Sequence, residues 1–182
     1  RKRSELILQN EKNWSEMIIQ SAPNIIVGLG ENSKILLFNK FTENLTGYTS
    51  EEVLGKEWIE LFIPNEIQKE IYIVWENIVK NKLIAHQYDN FIITKKGKKR
   101  EIRWNNTVLT ENNEFKMVLS IGEDITERKR AEYNLKESEE KYRRLSEDMP
   151  VFISTFLPDG TLLYANSAIS KAVGVKPIDL VG

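Results

Sequence analysis

The chain has 182 residues, 41% hydrophobic and 29% charged, with 26 basic and 27 acidic side chains and a net charge of -1. This composition fits one folded domain plus some excess and excludes both a disordered segment and bulk attraction to nucleic acid or a membrane surface. With no cysteine, disulfides, thiolate metal sites and cysteine nucleophiles or photoadducts are excluded, and the longest apolar run, 71–75, is far short of the ~20 residues that span a bilayer.

Residues 5–21 carry Leu6, Trp14, Met17 and Ile18 among helix-forming polar residues and stop before Pro23, which predicts a lead-in helix over 1–21. The β-rich runs 24–29 and 34–38, joined by a polar turn, predict a hairpin. After Asn39 comes a short helical stretch over 40–45, then Thr49 and Glu52 at capping-box spacing, with Gly47 and Gly55 as punctuation. Pro64-Asn65-Glu66 opens a longer helix with Asn65 as its N-cap, and Ile67, Ile71, Val74, Trp75 and Ile78 give it a face to bury. Three longer strands are expected over 86–95, 99–109 and 115–125, with Lys96-Gly97-Lys98 turning between the first two. Because the helices cluster between strands two and three, the strands should pair antiparallel with the helices on one side. Beyond them Arg128, Ala131, Leu135, Ser138, Tyr142, Leu145 and Met149 recur at alternating three and four residues in a charged stretch. That is a thin heptad seam, and it predicts a linker helix over 128–149 that pairs as a parallel dimeric coiled coil.

The sequence also repeats itself. At an offset of 127, residues 23–55 fall on 150–182 without a gap, placing Pro23 on Pro150, Ile26 on Ile153, Leu36 on Leu163, Asn39 on Asn166, Gly47 on Gly174 and Gly55 on Gly182. So long an offset is a domain duplication rather than a solenoid. The second copy has only begun by Gly182 and the first residue is Arg1, so the sequence reads as an excerpt of a longer chain.

Ser21-Ala22-Pro23, the hairpin, Asn39, the run Leu45-Thr46-Gly47-Tyr48-Thr49-Ser50-Glu51-Glu52-Val53-Leu54-Gly55-Lys56, then Lys95-Lys96-Gly97-Lys98 and Gly122-Glu123-Asp124-Ile125-Thr126-Glu127-Arg128-Lys129, resemble the PAS sensory domain family. The resemblance covers 22–127 in full. Residues 138–182 look like the start of a second PAS domain without its long helix and last three strands, so that 150–182 is a truncated copy. It implies an α+β fold, a five-stranded antiparallel sheet in the order 2-1-5-4-3 with helices on one face enclosing a small-molecule pocket, flanked by linker helices.

No catalytic group converges in this sequence. The single imidazole, His86, has no Asp-His-Ser partners, and Gly28-Leu29-Gly30 is a strand end rather than a phosphate loop. The chain is therefore expected not to be an enzyme, any kinase or other output domain lying outside it. Haem-binding relatives carry a histidine on the long helix, where 65–81 has none, and flavin photoadducts need the absent cysteine. Noncovalent flavin, stacked on Trp58 or Trp104 and bonded by Asn106, is an alternative. The leading expectation is no cofactor and a small organic ligand or an empty pocket, lined by Trp58, Ile71 and Trp75 from the helical side, Trp104 and Asn106 on strand four, and Val118 and Ser120 on strand five, with either parity of that strand open. Core packing accounts for the same residues. Lys95, Lys96, Lys98, Lys99, Arg100 and Arg103 crowd one hairpin tip, yet no aromatic interleaves them, so a solvated tip is expected and no nucleic-acid partner.

The last strand runs into Asp124-Ile125-Thr126, where the Asp124 carboxylate and the Thr126 hydroxyl can bond free backbone N–H groups at the start of the linker helix. In the resembling family this junction passes the signal on. The expectation is thus a signal-input module of a cytosolic signal-transduction protein, most often a sensor histidine kinase. Its expected partners are a second copy, paired through the N-terminal and linker helices, and downstream PAS and output domains of the same chain. A pure protein–protein interaction or dimerisation domain and a flavin redox sensor are the alternatives.

Overall fold

A computed structural model describes residues 2–81 and 87–175 of the chain. His86, at the start of the strand expected over 86–95, and Gly182, the last match of the repeat, lie outside the described residues. The chain divides into two compact units, residues 1–127 and 128–182.

In the first unit, helix α1 (Lys2–Ser21) ends just before Pro23. Strands β1 (Ile25–Leu29) and β2 (Ile35–Phe38) follow, joined by a tight turn in which Asn32 and Ser33 both take left-handed backbone angles, φ 54°. Helix α2 (Lys40–Thr46) starts where the Asn39 side chain accepts the Thr42 N–H and stops at Gly47, whose φ of 80° costs little only because glycine has no Cβ. The short helix α3 (Ser50–Val53) carries the reciprocal Thr49–Glu52 capping box.

Helix α4 (Trp58–Phe62) lies where no element was expected. It has five residues and no side-chain cap, so no periodicity marks it; burial of Trp58, Ile59 and Phe62 holds it. Helix α5 (Gln68–Asn81) begins later than expected, and Asn65 is not its N-cap. The Ile67 N–H bonds the Pro64 carbonyl, which closes a separate turn around Asn65, and the Asn65 side chain accepts instead from the Gln68 side-chain amide. Of the face expected to be buried, Trp75 and Ile78 are, while Val74 remains 40% exposed. The helix meets the sheet over a narrower stripe than its sequence offers.

Strands β3 (Gln87–Ile93), β4 (Lys99–Glu111) and β5 (Glu114–Asp124) complete a five-stranded sheet in the order β2-β1-β5-β4-β3, with every neighbouring pair antiparallel. Alternation along each strand turns Ile25, Val27 and Leu29, Ile92, Ile102 and Trp104, and Val118 toward the helices, where they form one core with Phe38, Val53, Ile59 and Phe62. This is an α+β domain with its helices gathered over one sheet face. Directly after β5, helix α6 (Thr126–Asp148) begins. Leu135, Tyr142, Leu145 and Met149 of the heptad seam are exposed along it or just beyond it.

The second unit contains a two-stranded hairpin, β6 (Ser154–Phe156) and β7 (Leu162–Ala165), and helix α7 (Ser167–Val173). Asn166 caps α7 by accepting the Ile169 N–H, and Gly174 ends it in the left-handed region.

Candidate functional site

Between the sheet and the helices α4 and α5 lies a cavity of about 260 Å³. Its ceiling comes from Trp58 on α4 and from Ile71, Trp75 and Ile78 on α5; its floor comes from the inward rows of the strands, Val27 and Leu29, Tyr88 and Asn90, Trp104 and Asn106, and Val118 and Ser120. The seven residues singled out as pocket candidates, Trp58, Ile71, Trp75, Trp104, Asn106, Val118 and Ser120, all stand on this one lining. The parity of β5, open in the sequence, is decided by pairing with both neighbours: Ser120 sits opposite Val27 on one side and Asn106 on the other, which sets the even-numbered residues inward.

Aromatic rings build the wall nearest the junction. Trp58 stacks on Phe62 at 4.3 Å between centroids and meets Trp104 edge to face at 5.6 Å. The Trp104 indole N–H donates to the Asn90 Oδ1 at 2.7 Å, which fixes the ring. Across the strand from Trp104 stands Gly122, where a Cβ would come within 2.8 Å of the Trp104 ring and of the Ile102 methyl, so the ring's place depends on that glycine. Sequence reasoning did not single out Asn90, Tyr88 or the role of Gly122; period-2 alternation back from Ile92 is the signal that places Tyr88 and Asn90 on the inner face.

Electrically the lining is neutral. Among the described residues no acid or cation borders the cavity, and burial pushes the Tyr88 phenol up from its ordinary value, aided by Glu70, so it stays protonated. Tyr72, partly buried on α5 against the core, is pushed up to about 12 by burial and by its hydrogen bond to Glu57. Among the described residues there is no histidine to hold a haem iron and no group of acids or histidines that could hold a metal ion. At the ~25 Å³ per non-hydrogen atom at which a ~150 Å³ cavity takes benzene, the volume takes about ten such atoms.

The floor continues without a break into the start of α6. Asp124 Oδ1 accepts the Thr126 N–H at 2.9 Å and the Thr126 hydroxyl, while the Thr126 Oγ1 itself accepts the Glu101 N–H at 2.9 Å. The Ile125 N–H donates to the Glu101 carbonyl at 2.9 Å and its side chain is buried. The Arg100 guanidinium reaches both Asp124, at 3.4 Å, and Glu127, at 3.7 Å. Asp124, Ile125 and Thr126 therefore form a clasp that ties the β5–α6 junction to the first residues of β4. Arg100 and Glu101 belong to it, although the sequence suggested for Arg100 only a place in a solvated tip. The rest of that basic tip is largely paired: Lys95 with Glu52, Arg103 with Asp89, and Lys99 over the Phe91 ring.

The family model described as PAS fold matches residues 16–125. A curated relative, the two-component sensor PprA of Pseudomonas aeruginosa, is 39% identical over 59 residues, which is 32% of this chain and 6% of the relative's length. Among solved structures, the PAS domain of an HTR-like protein from Haloarcula marismortui matches 69% of this chain and all of its own with a TM-score of 0.55 at 20% identity. The PAS domain of the Cronobacter turicensis quorum-sensing receptor RpfR, in complex with C12:0, matches 59% of this chain and 99% of its own with a TM-score of 0.52 at 25% identity. No helix among the described residues is long and apolar enough to cross a membrane.

Proposed function

This chain belongs to the PAS family, and from that membership we propose that it is the signal-input module of a cytosolic two-component-type signalling protein, in which a small molecule in the cavity is sensed and the Asp124–Thr126 clasp relays its presence to α6. One observation carries the reading: Val118 and Ser120, on the cavity floor, and Asp124, in the clasp, lie on the same strand within seven residues of one another. A strand packed in a sheet moves as a unit, so a change at its middle is felt at its end. Hydrogen bonds of ~1 kcal/mol each make a junction firm enough to transmit and weak enough to switch. The complex of the RpfR PAS domain with C12:0 supports a small ligand for this fold, and PprA supports the two-component setting. Catalytic output, in this reading, is supplied outside 1–182.

The test fills the cavity from within. Ser120→Phe inserts a ring from the floor, and amide hydrogen exchange is followed over 124–130. Faster or slower exchange at the clasp, with the sheet core still protected, is expected; unchanged exchange there would reduce the cavity to a packing feature and remove the relay.

A second reading, dimerisation through the flanking helices, is favoured by the exposure of Leu6, Trp14, Met17 and Ile18 on α1 and of Leu135, Tyr142 and Leu145 on α6. Sedimentation equilibrium decides it: a dimer that Leu135→Glu together with Tyr142→Glu dissociates is expected, and a monomer at tens of micromolar removes it.

A further inference from the structure

The ligand-sensing reading leaves the chemical class of ligand open, and the lining narrows it. Most of the wall is aliphatic or aromatic, but Asn106 and Ser120 face each other across β4 and β5 in the middle of the floor. Ser120 is 5% exposed and Asn106 half-buried, neither side chain has a hydrogen-bond partner among the described residues, and on the same lining the Trp75 indole N–H is buried without one. Buried polar groups ordinarily find partners, because leaving one unmade forfeits its hydration without return. Together the two offer an amide N–H₂, an amide oxygen and a hydroxyl, which can both donate and accept. A second amide, Asn90, uses its oxygen on Trp104 and keeps its N–H₂ on the same lining. Against these neutral groups stands no charge of either sign among the described lining residues. An ionised ligand would be stripped of water here with no counter-ion among the described lining residues to meet it, the least favourable form of charge burial.

Resting on the sensing role above, the geometry points to a neutral, mostly apolar ligand of about nine or ten non-hydrogen atoms, with one uncharged polar head, an amide or an alcohol, held by Asn106 and Ser120. A carboxylate of the same length is disfavoured. The aliphatic body lies between Trp58, Trp75 and Ile71, and the head sits on the sheet at Ser120, on the strand that ends in the clasp. Such a ligand places its polar contact on the strand that moves the junction and its apolar contact on the helices.

Octanamide, 1-octanol and octanoate, equal in chain length and unequal in charge, test this at pH 7.5 on the full 182-residue chain. Occupancy is read from the fluorescence of Trp58, Trp75 and Trp104 in a Trp14→Phe background, since Trp14 lies outside the cavity on α1. We expect octanamide and octanol to bind at least tenfold more tightly than octanoate. Ser120→Ala and Asn106→Leu should each weaken octanamide about tenfold, while toluene, which has no polar head, keeps its affinity and shows that the cavity persists. Octanoate binding as tightly as octanamide would overturn the neutral-ligand inference and leave the sensing role in place. Octanamide unaffected by both substitutions would overturn the assigned head-group contacts. If none of the three compounds nor toluene perturbs the tryptophans, the cavity admits no ligand and the sensing role falls with the inference.

Discussion

In residues 19–47 the Asn39 side chain donates to the carbonyls of Ile19 and Asn24 and accepts the Ile26 N–H. At an offset of 127, Asn166 donates to the carbonyls of Ser146 and Val151 and accepts the Ile153 N–H. The likeness extends further: Gln20 bonds the Lys40 N–H as Glu147 bonds the Ser167 N–H, and the hairpin registers break between Gly28 and Leu29 and again between Thr155 and Phe156. Burial does not follow. Ile25 and Val27 are 0% exposed, and Leu29 is buried too, whereas Phe152 is 70% and Phe156 57% exposed. In the first unit β1 lies between β2 and β5; in the second, β6 pairs only with β7 among the described residues. The same short sequence therefore writes the same local geometry twice, and only the partner strands turn it into a core. Hydrogen bonds specify the conformation here and burial of apolar area supplies most of the stability.

The largest expected effect separates the units. A fragment of residues 1–127 should melt cooperatively by calorimetry, and one of 128–182 should not, because a hairpin with little buried surface cannot offset its ordering entropy. A cooperative monomeric transition in 128–182 would break the comparison.

Next comes the shared asparagine. Asn39→Ala strips a cap from α2 and leaves the half-buried Ile19 carbonyl of α1 and the Asn24 carbonyl without the buried donor that ties them together, so a loss of ~2–3 kcal/mol is expected in urea unfolding. Asn166→Ala, without a core above it, should change global stability by less than ~0.5 kcal/mol and register only as lost hairpin shifts by NMR. Equal losses at the two sites would show that local bonding, not burial, carries the energy.

Gly122→Ala sharpens the contrast from the core side. Its Cβ would meet the Trp104 ring and Ile102 at 2.8 Å, which should cost ~1–3 kcal/mol and alter the near-ultraviolet tryptophan signal while the second hairpin's NMR shifts stay unchanged.

The smallest effect is one of pH. Glu43 is held at about 2 by its hydrogen bond to Lys40 and by the Ser50 N–H, with the Lys40 charge adding a little. A lowered carboxylate contributes stability above its unfolded value near 4.5 and loses it as pH falls toward 2, so the first unit should weaken by ~1–2 kcal/mol across that window, discounted because Lys40 is largely exposed. Glu43→Gln should flatten the slope. The matching position in the repeat is Ser170, whose hydroxyl is buried without a partner among the described residues, so α7 should lack the Glu43 response in NMR shifts recorded from pH 5 to 2.5, any acid response of the second hairpin centring instead on Asp159, which its bond from the Thr161 N–H holds low.

What the sequence determined by itself is whatever a few neighbouring residues decide: the Thr49–Glu52 capping box, the Asn39 and Asn166 caps, the stops at Gly47 and Gly174, the strands and the repeat that links the two units. The pocket candidates were legible for a related reason, since alternation along β4 and β5 and the helical spacing of Ile71 and Trp75 set which side chains share a face before any packing is known. Tertiary structure alone decided the rest. Helix α4 has too few residues for a period and exists through the burial of Trp58, Ile59 and Phe62. The start of α5 was set by a turn at Pro64, and the parity of β5 by its pairing with β1 and β4 at once. The lining of the cavity and the clasp of Arg100 and Glu101 on Asp124 and Thr126 bring together residues more than twenty positions apart. Contacts that distant close loops whose ends only the finished sheet holds in place, so their chemistry appears only when the chain is folded.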